Sequence, residues 1–236
     1  MKQTFKTFFV AIMAVSMVSF AGCSREDDNS GSTGDGGGNP AVEWVDLGLP
    51  SGLLWASCNV GATAPEEYGD YFAWGETQPK INYSWSTYAY GNDYNQLIKY
   101  CPCANYGLDG FTDDLTILES GDDAATANLG NGARTPTEEE WQELMNNTYV
   151  ESDTLNGVYG YRFTAVNHKT IFLPAAGWRW NRDLHHAGRT GGYWSASLKT
   201  DCSYGVNAAW NYRIGAKSMY YEYRNYGFPV RAVRAR

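Results

Sequence analysis

The sequence predicts an α+β domain built from short antiparallel strands, one clear helix and long loops. Short segments rich in β-branched and aromatic residues alternate with clusters of Gly, Pro and Asn, a pattern typical of strands joined by turns. Residues 135–147 instead carry the cap and the apolar spacing of a helix. Residues 76–120 are polar and Tyr-rich with little periodicity, which favours extended loops with short helices.

The strand pattern occurs on both sides of the helix. The turn cluster Gly48–Gly52 separates the first two predicted strands, and the residues Asn-His-Lys at 167–169 separate two later ones, which predicts a β-hairpin there. Pro229 favours a strand start or a sheet edge for the last strand. The predicted strands cover residues 42–47, 53–60, 69–75, 161–166, 170–173, 192–198, 205–213, 217–223 and 228–234.

The helix is predicted from its cap and its apolar face. Thr135 at the N-cap, Pro136 at N1 and Glu138 at N3 form the pattern of a capping box. The i, i+3, i+4 spacing predicts a buried face, and Asn146-Asn147 ends the helix. That face consists of Trp141, Leu144 and Met145. A shorter helix is predicted for residues 122–129, where acidic residues suit the positive N-terminal end.

Composition limits the function classes. The 236 residues are 43% hydrophobic and 15% aromatic with a net charge of −8, so long disordered segments are not expected. An acidic chain without a basic tail argues against nucleic-acid binding through phosphate neutralisation. No apolar stretch long enough for a transmembrane helix follows residue 25.

The N-terminus has the pattern of an export signal. Lys2 and Lys6 precede an apolar run at residues 8–15, and Ala-Gly then leads to Cys23. This order resembles a bacterial lipobox, although Phe20 departs from its usual aliphatic residue. The resemblance implies cleavage before Cys23 and lipidation of that residue, which anchors the chain to a membrane. The alternative is an ordinary secreted protein with a chance Cys.

The sequence therefore divides into three parts. Residues 1–22 are the predicted lipoprotein signal peptide, residues 23–40 a flexible acidic and Gly/Ser-rich tether, and residues 41–236 one folded domain. The acidic residues directly after Cys23 resemble the signal that sends lipoproteins of Bacteroidetes to the outer face of the outer membrane. The predicted location is the cell surface, and the alternative for the acidic residues is a merely solvated spacer.

Four cysteines remain besides Cys23. An even number in an exported chain permits two disulfides, with three possible connectivities. The absence of a Cys-x-x-Cys pair weakens a redox or zinc interpretation. These cysteines are Cys58, Cys101, Cys103 and Cys202.

Catalytic patterns are missing from the sequence. There is no Walker loop, no Rossmann fingerprint and no Gly-x-Ser-x-Gly elbow. The acidic stretch 109–123 lacks the EF-hand spacing, so a solvated loop is favoured over a calcium site. Adjacent His185 and His186 would point to opposite faces of a strand and are better explained as exposed or ligand-contacting residues than as metal ligands. We therefore predict no catalytic residue, no metal, no cofactor and no enzymatic activity.

The C-terminal third has a different composition. Residues 160–236 contain 15 aromatic residues, and they hold 12 Lys and Arg against 3 Asp and Glu, whereas residues 1–159 hold 6 against 23. Tyr, Trp, Arg, His and Asn are concentrated in residues 180–186 and 220–226, and these residue types dominate recognition surfaces. The alternative is a Tyr-rich sheet in which the rings simply cover the surface of the sheet and the basic charge is neutralised inside the fold.

Several phrases together resemble a known family. They are Val45–Gly52, Asn59–Ala62, Gly69–Glu76, Asp123–Asn128, Arg134–Thr137, Leu173–Gly177, Tyr193–Ser197 and Gly227–Arg234. Their order is similar to that of the Fibrobacter succinogenes major paralogous domain family, frequent in lipoproteins of Bacteroidetes, over residues 42–235. The resemblance implies a C-type-lectin-like fold, related to formylglycine-generating enzymes and to the variable proteins diversified by retroelements. Pro229 departs from the Ser usual in the diversified members.

The resemblance also implies where a ligand binds. Diversified members vary Asn, Tyr, Ser, Asp, His and Arg positions near the C-terminus. The predicted ligand-binding residues are Trp180, Asn181, Arg182, Asp183, His185, His186, Tyr204, Asn207, Asn211, Tyr221, Tyr223 and Asn225. The predicted function is a surface-anchored lipoprotein module that binds an extracellular protein or glycan. One alternative is a structural or adhesive surface protein. The other is a formylglycine-generating type of enzyme, but that chemistry needs a pair of Cys residues, and only Cys202 lies in the C-terminal segment. A weaker motif at Asp153-Thr154-Leu155 resembles an O-glycosylation acceptor.

Overall fold

The computed structural model describes residues 42–202, 208–214 and 216–236, so Cys23, Tyr204 and Asn207 lie outside the described residues. The strands are β1 Trp44–Asp46, β2 Leu54–Ala56, β3 Thr148–Leu155, β4 Val158–Ala165, β5 Thr170–Pro174, β6 Trp178–Trp180, β7 Asp183–His185, β8 Gly191–Leu198, β9 Ala208–Ile214, β10 Ser218–Tyr223 and β11 Val233–Arg234. The helices are α1 Ala124–Leu129 and α2 Glu138–Asn147. Single 3₁₀ turns span Trp85–Thr87, Ala104–Tyr106, Leu108–Gly110 and Ser120–Asp122.

The strands form small antiparallel sheets. Within the described residues, three sheets have three strands each, in the orders β1-β2-β11, β10-β9-β8 and β3-β4-β5, and β6 and β7 form a two-stranded sheet. The predicted hairpin is β4–β5, in which Thr164 lies opposite Thr170. The α+β class with short antiparallel strands and one clear helix is therefore confirmed.

The core forms around α2, whose apolar face is buried as the spacing predicts. The indole of Trp141 contacts Trp55 edge-on at 4.9 Å between ring centroids and stacks on Tyr212 at 5.0 Å. Leu144 is also fully buried, and Met145 packs partly buried against the same cluster. Burial of a large aromatic side chain contributes on the order of 2–3 kcal/mol, with about 1 kcal/mol more from ring–ring geometry. None of the described helices is long and apolar enough to cross a membrane.

The predicted cap of α2 is wrong by two residues. Thr137, not Thr135, is the N-cap, and it forms the capping box with Glu140. Thr135 is buried, and its backbone amide and hydroxyl both donate to the carboxylate of Asp123 at 2.8 Å. A buried polar partner therefore decides which of two equivalent threonines caps the helix.

Other strands and the disulfides differ from the prediction where contacts between residues distant in the sequence decide the structure. Residues 69–75 and 228–232 form no strand, and the only described backbone pairing between them is an isolated bridge between Phe72 and Phe228. The long strand β3 and the short pair β6–β7 were not predicted. Of the two disulfides that the cysteine count permits, the described residues form one, Cys103–Cys202, while Cys58 and Cys101 are free and buried.

Candidate functional site

The β6–β7 hairpin carries half of the predicted site residues. Trp180 lies opposite Asp183, so only Asn181 and Arg182 form the turn, and Asn181 has a positive φ of 52°. Asn tolerates this left-handed conformation better than most residues. The hairpin thus presents Trp180 through His186 on one compact unit, with all of these side chains exposed except the half-buried His185.

Distant segments hold the hairpin in place through backbone hydrogen bonds. Tyr83 N donates to Asn181 O at 2.7 Å, and Asn181 N donates to Tyr83 O at 3.0 Å. Arg179 and Gly227 exchange a second pair of bonds at 2.8 and 2.9 Å. Gly227 is required there because a Cβ would lie 2.5 Å from the ring of Tyr83. The loop region 76–120, through Tyr83, and the segment after β10, through Gly227, therefore hold the hairpin on both sides.

A row of aromatic rings crosses the surface that carries the β6–β7 hairpin, and we call it the ring row. Its members, in spatial order, are Trp85, Tyr223, Tyr226, Trp180, His185, Trp178 and His186. Neighbouring ring centroids lie between 4.7 and 6.3 Å apart. Trp180 and Tyr223 keep 47% and 45% of their surface exposed. The row therefore combines ring–ring support with large exposed aromatic area.

Strand β10 extends the exposed aromatic surface. Tyr221 is 45% exposed and lies on the same side of the strand as Tyr223, because side chains alternate along a strand. The ammonium of Lys199 lies 4.8 Å from the centre of the Tyr221 ring. On the opposite side, Glu222 pairs with Arg213 at 2.7 Å, and burial raises the pKa of the Glu222 carboxyl although this pairing opposes the shift.

The structure brings most predicted site residues together, with one correction. Asn225 is 1% exposed, and its Nδ2 donates to the carbonyl of Tyr83 at 3.1 Å, so it cannot belong to an exposed face. It lies in the segment after β10, which runs alongside β6 through the bridge between Gly227 and Arg179. Asn211 lies in β9 opposite Tyr220. Tyr204 and Asn207 fall outside the described part of the chain.

Much of the C-terminal basic charge serves the fold and not the surface. Arg231 is fully buried and donates to Asn59 Oδ1 at 2.9 Å and to several backbone carbonyls. Arg224 is also buried, against Trp74 and the carbonyl of Tyr100. Further basic side chains form ion pairs, namely Arg162, Lys199, Arg213 and Arg236. The excess of positive charge in the sequence therefore overstates the charge that a ligand would meet.

A groove of about 300 Å³ adjoins the turn of the hairpin, on the side opposite the ring row. Arg179 faces it, because it alternates with the two tryptophans of β6. We call it the arginine groove. Its lining residues are Gly69, Asp70, Tyr71, Pro79, Lys80, Ile81, Tyr83, Arg179 and Arg182.

The phenols of this groove are fixed structural groups. Tyr71 donates to the carbonyl of Ala176, and Tyr83 donates to the carbonyl of Tyr71, both at 2.6 Å. Burial raises the pKa of both phenols, although the charge of Arg179 partly opposes it. Both therefore stay protonated near neutral pH and form a rigid aromatic wall, not a catalytic base.

Within the described residues, the site lacks a metal-binding cluster: no three His, Cys, Asp or Glu side chains lie close enough to hold an ion. His185 Nε2 is buried among the rings without a hydrogen-bond partner. What the surface offers is aromatic area, guanidinium donors and amide groups, which suit recognition.

Sequence reasoning missed four contributing residues. Trp178 and Arg179 belong to the alternating Trp-Arg-Trp of β6, a period-two signal that could have been found. Trp85 and Tyr226 join the ring row only through tertiary contacts, at 6.1 Å from Tyr223 and 6.2 Å from Trp180.

Comparisons with protein-family models, with curated proteins and with solved structures find no match to this chain. The family resemblance predicted from the motifs, and the C-type-lectin-like fold that it implies, therefore stay predictions.

Proposed function

We propose that this chain is a surface lipoprotein whose domain, of C-type-lectin-like type, binds an extracellular protein or glycan through the ring row and the adjoining β10 tyrosines. In this proposal Cys23 carries the lipid anchor at the outer membrane, and the domain faces the outside. No nucleic acid and no cofactor takes part. Retroelement diversification of the C-terminal segment would vary the ligand without changing the scaffold.

The ring row is the observation that carries the proposal. Exposed Trp and Tyr supply contact area at low conformational cost, and here each ring is supported by its neighbours before any ligand arrives. Trp180 and Tyr223 are exposed although burying them would be favourable, which is typical of a recognition surface.

The two alternatives differ in what they require. A structural or adhesive protein would use this surface in a large permanent interface, which favours apolar area over the Arg, His and Asn found on the hairpin. A formylglycine-generating type of enzyme needs two reactive thiols together. Cys202 is bonded to Cys103, while the free Cys58 and Cys101 are buried, so the described residues favour binding over this chemistry.

Binding arrays test the ring row directly. We expect the purified chain to bind at least one member of a panel of glycans and extracellular proteins. Trp180→Ala or Tyr223→Ala should weaken that binding by about 2 kcal/mol, roughly thirtyfold, because anchors of this type carry most of the binding energy. Tyr221→Ala should weaken it less, since Tyr221 lies beside the row.

Tyr149→Ala is the matched control, because Tyr149 is 68% exposed on a different sheet, in β3. It should leave binding unchanged. Equal affinity of the Trp180 and Tyr223 variants and the unchanged chain for an identified ligand would refute the proposed face.

The anchor is tested by removing the lipidated residue. Cys23→Ala should release the protein from the membrane fraction, because the tether contains no other apolar segment that could hold it. Fractionation followed by immunoblotting measures this. Protein that stays with the membranes as before would contradict the anchor.

A further inference from the structure

We propose that the arginine groove binds the carboxylate of an acidic sugar, a uronic or sialic type of residue, with Arg179 and Arg182 on the carboxylate and Asp70 on the sugar hydroxyls. The inference rests on the proposed binding function, because the groove and the ring row share the β6–β7 hairpin. It adds the chemical class of ligand that this hairpin would select.

The two arginines supply the anion site. No described residue forms a hydrogen bond or ion pair with either guanidinium, whereas Lys80 in the same groove is already paired with Glu76 at 2.8 Å. The guanidinium carbon of Arg179 lies 5.0 Å from the centre of the Tyr71 ring, which holds its planar donor fork in place. A guanidinium fork matches the two oxygens of a carboxylate, so a ligand carboxylate would supply the hydrogen-bond acceptor that both arginines lack among the described residues.

Asp70 favours a sugar acid over a more highly charged anion. Its carboxylate can only accept hydrogen bonds, and no described residue donates to it. A second negative charge on the ligand would meet repulsion from Asp70, whereas sugar hydroxyls are donors of the kind it lacks. Gly61 leaves room for this carboxylate, because a Cβ there would lie 2.3 Å from Asp70 Oδ2.

The size of the groove fits one sugar residue. About 300 Å³ is at the lower end of the range for small-molecule sites, which is roughly 300–1,000 Å³. The buried rings of Tyr71 and Tyr83 give the groove a rigid wall, and Ile81 adds exposed apolar surface at its rim.

Saturation-transfer NMR with glucuronate, N-acetylneuraminate, glucose and inorganic phosphate tests this on the purified chain. We expect at least one of the two sugar acids to bind and glucose to bind far more weakly. Arg179→Gln and Arg182→Gln should each weaken sugar-acid binding by at least about tenfold. Arg182 is exposed, so its substitution does not disturb packing. Lys169→Gln removes the same unit of charge from an exposed turn elsewhere and should change nothing.

Asp70→Asn tests the role of the Asp70 carboxylate separately from the role of the two arginines. It should weaken sugar-acid binding and improve binding of inorganic phosphate, because repulsion is removed. Tighter binding of phosphate or of a Glu-containing peptide than of either sugar acid by the unchanged chain would overturn the inference, as would equal binding by the Arg182 and Lys169 variants. If neither sugar acid binds while Trp180→Ala still weakens capture of an array ligand, the groove inference fails and the proposed function stands.

Discussion

Asp122, which lies just before α1, connects the loop region 76–120 to the start of that helix. Its carboxylate accepts hydrogen bonds from Lys99 Nζ at 2.6 Å and from the hydroxyls of Tyr90 and Tyr100. Burial by itself would raise the pKa of Asp122, but these hydrogen bonds outweigh it and hold the pKa below its ordinary value. One ionised group thus holds three side chains of a loop region that has little periodicity.

This pKa shift predicts a dependence of stability on pH. Because the folded-state pKa of Asp122 lies below the unfolded value of 3.8, its contribution is fully present above that value and is lost as pH falls through the folded-state pKa. Asp122→Asn should lower the free energy of unfolding by about 2 kcal/mol at pH 7, and by clearly less at about pH 2. Urea denaturation at both pH values measures the difference.

Asp114→Asn is the control, because Asp114 is exposed and has no hydrogen-bond partner among the described residues. It should have no measurable effect at either pH. A loss for Asp122→Asn that is the same at both pH values would contradict the pKa assignment.

At the scale of the element, Asp123 connects the two helices. It caps α1 by accepting from the backbone amides of Ala125 and Thr126 at 2.8 and 3.3 Å. Its other bonds hold Thr135, two residues before the cap of α2. One buried carboxylate therefore sets both the start of α1 and the position from which α2 begins.

Asp123→Ala should lower the free energy of unfolding by about 3 kcal/mol. Loss of an N-cap costs about 1 kcal/mol, and the buried amide and hydroxyl of Thr135 would be left without a partner at a further cost of about 2 kcal/mol. Chemical denaturation measures this, with Asp114→Ala as the exposed control. A loss below about 1 kcal/mol would show that water or another group replaces the carboxylate.

At the scale of the whole molecule, charge and covalent connection join distant parts of the chain. Arg236 pairs with Asp46 at 2.6 Å, 190 residues away, and β11 pairs with β2. Among the described ion pairs, Arg236–Asp46 and Arg162–Asp153 join the basic last part of the sequence to its acidic first part.

The Cys103–Cys202 disulfide joins the loop region 76–120 to the segment that follows β8, across a sequence separation of 99. Reduction should lower the free energy of unfolding by about 2–5 kcal/mol, because a bond that closes so long a loop restricts the unfolded chain strongly. Denaturation with and without reductant measures the effect. A Cys103→Ala/Cys202→Ala variant should be equally destabilised and should not respond to reductant.

Thiol labelling provides an independent check of the pairing. In the Cys23→Ala background, the unfolded, unreduced chain should react at Cys58 and Cys101 only. Labelling of Cys103 or Cys202 under these conditions would contradict the disulfide.

The sequence by itself determined the features that depend on neighbours along the chain. The α+β class, the apolar face of α2 and the β4–β5 hairpin follow from periodicity, capping chemistry and turn residues, all of which act over a few positions. For the site, the sequence also singled out the segment from Trp180 to His186, though not its hairpin, because its mixture of Trp, Asn, Arg and His is a local signal.

Only the tertiary structure decided which of these groups meet. It buried Asn225, chose Thr137 over Thr135 as the cap of α2 and paired Cys103 with Cys202. It also aligned Trp85 and Tyr226 with the hairpin and separated the arginine groove from the ring row. These outcomes depend on contacts between residues far apart in the sequence, where desolvation and packing outweigh local preference and leave no periodic trace.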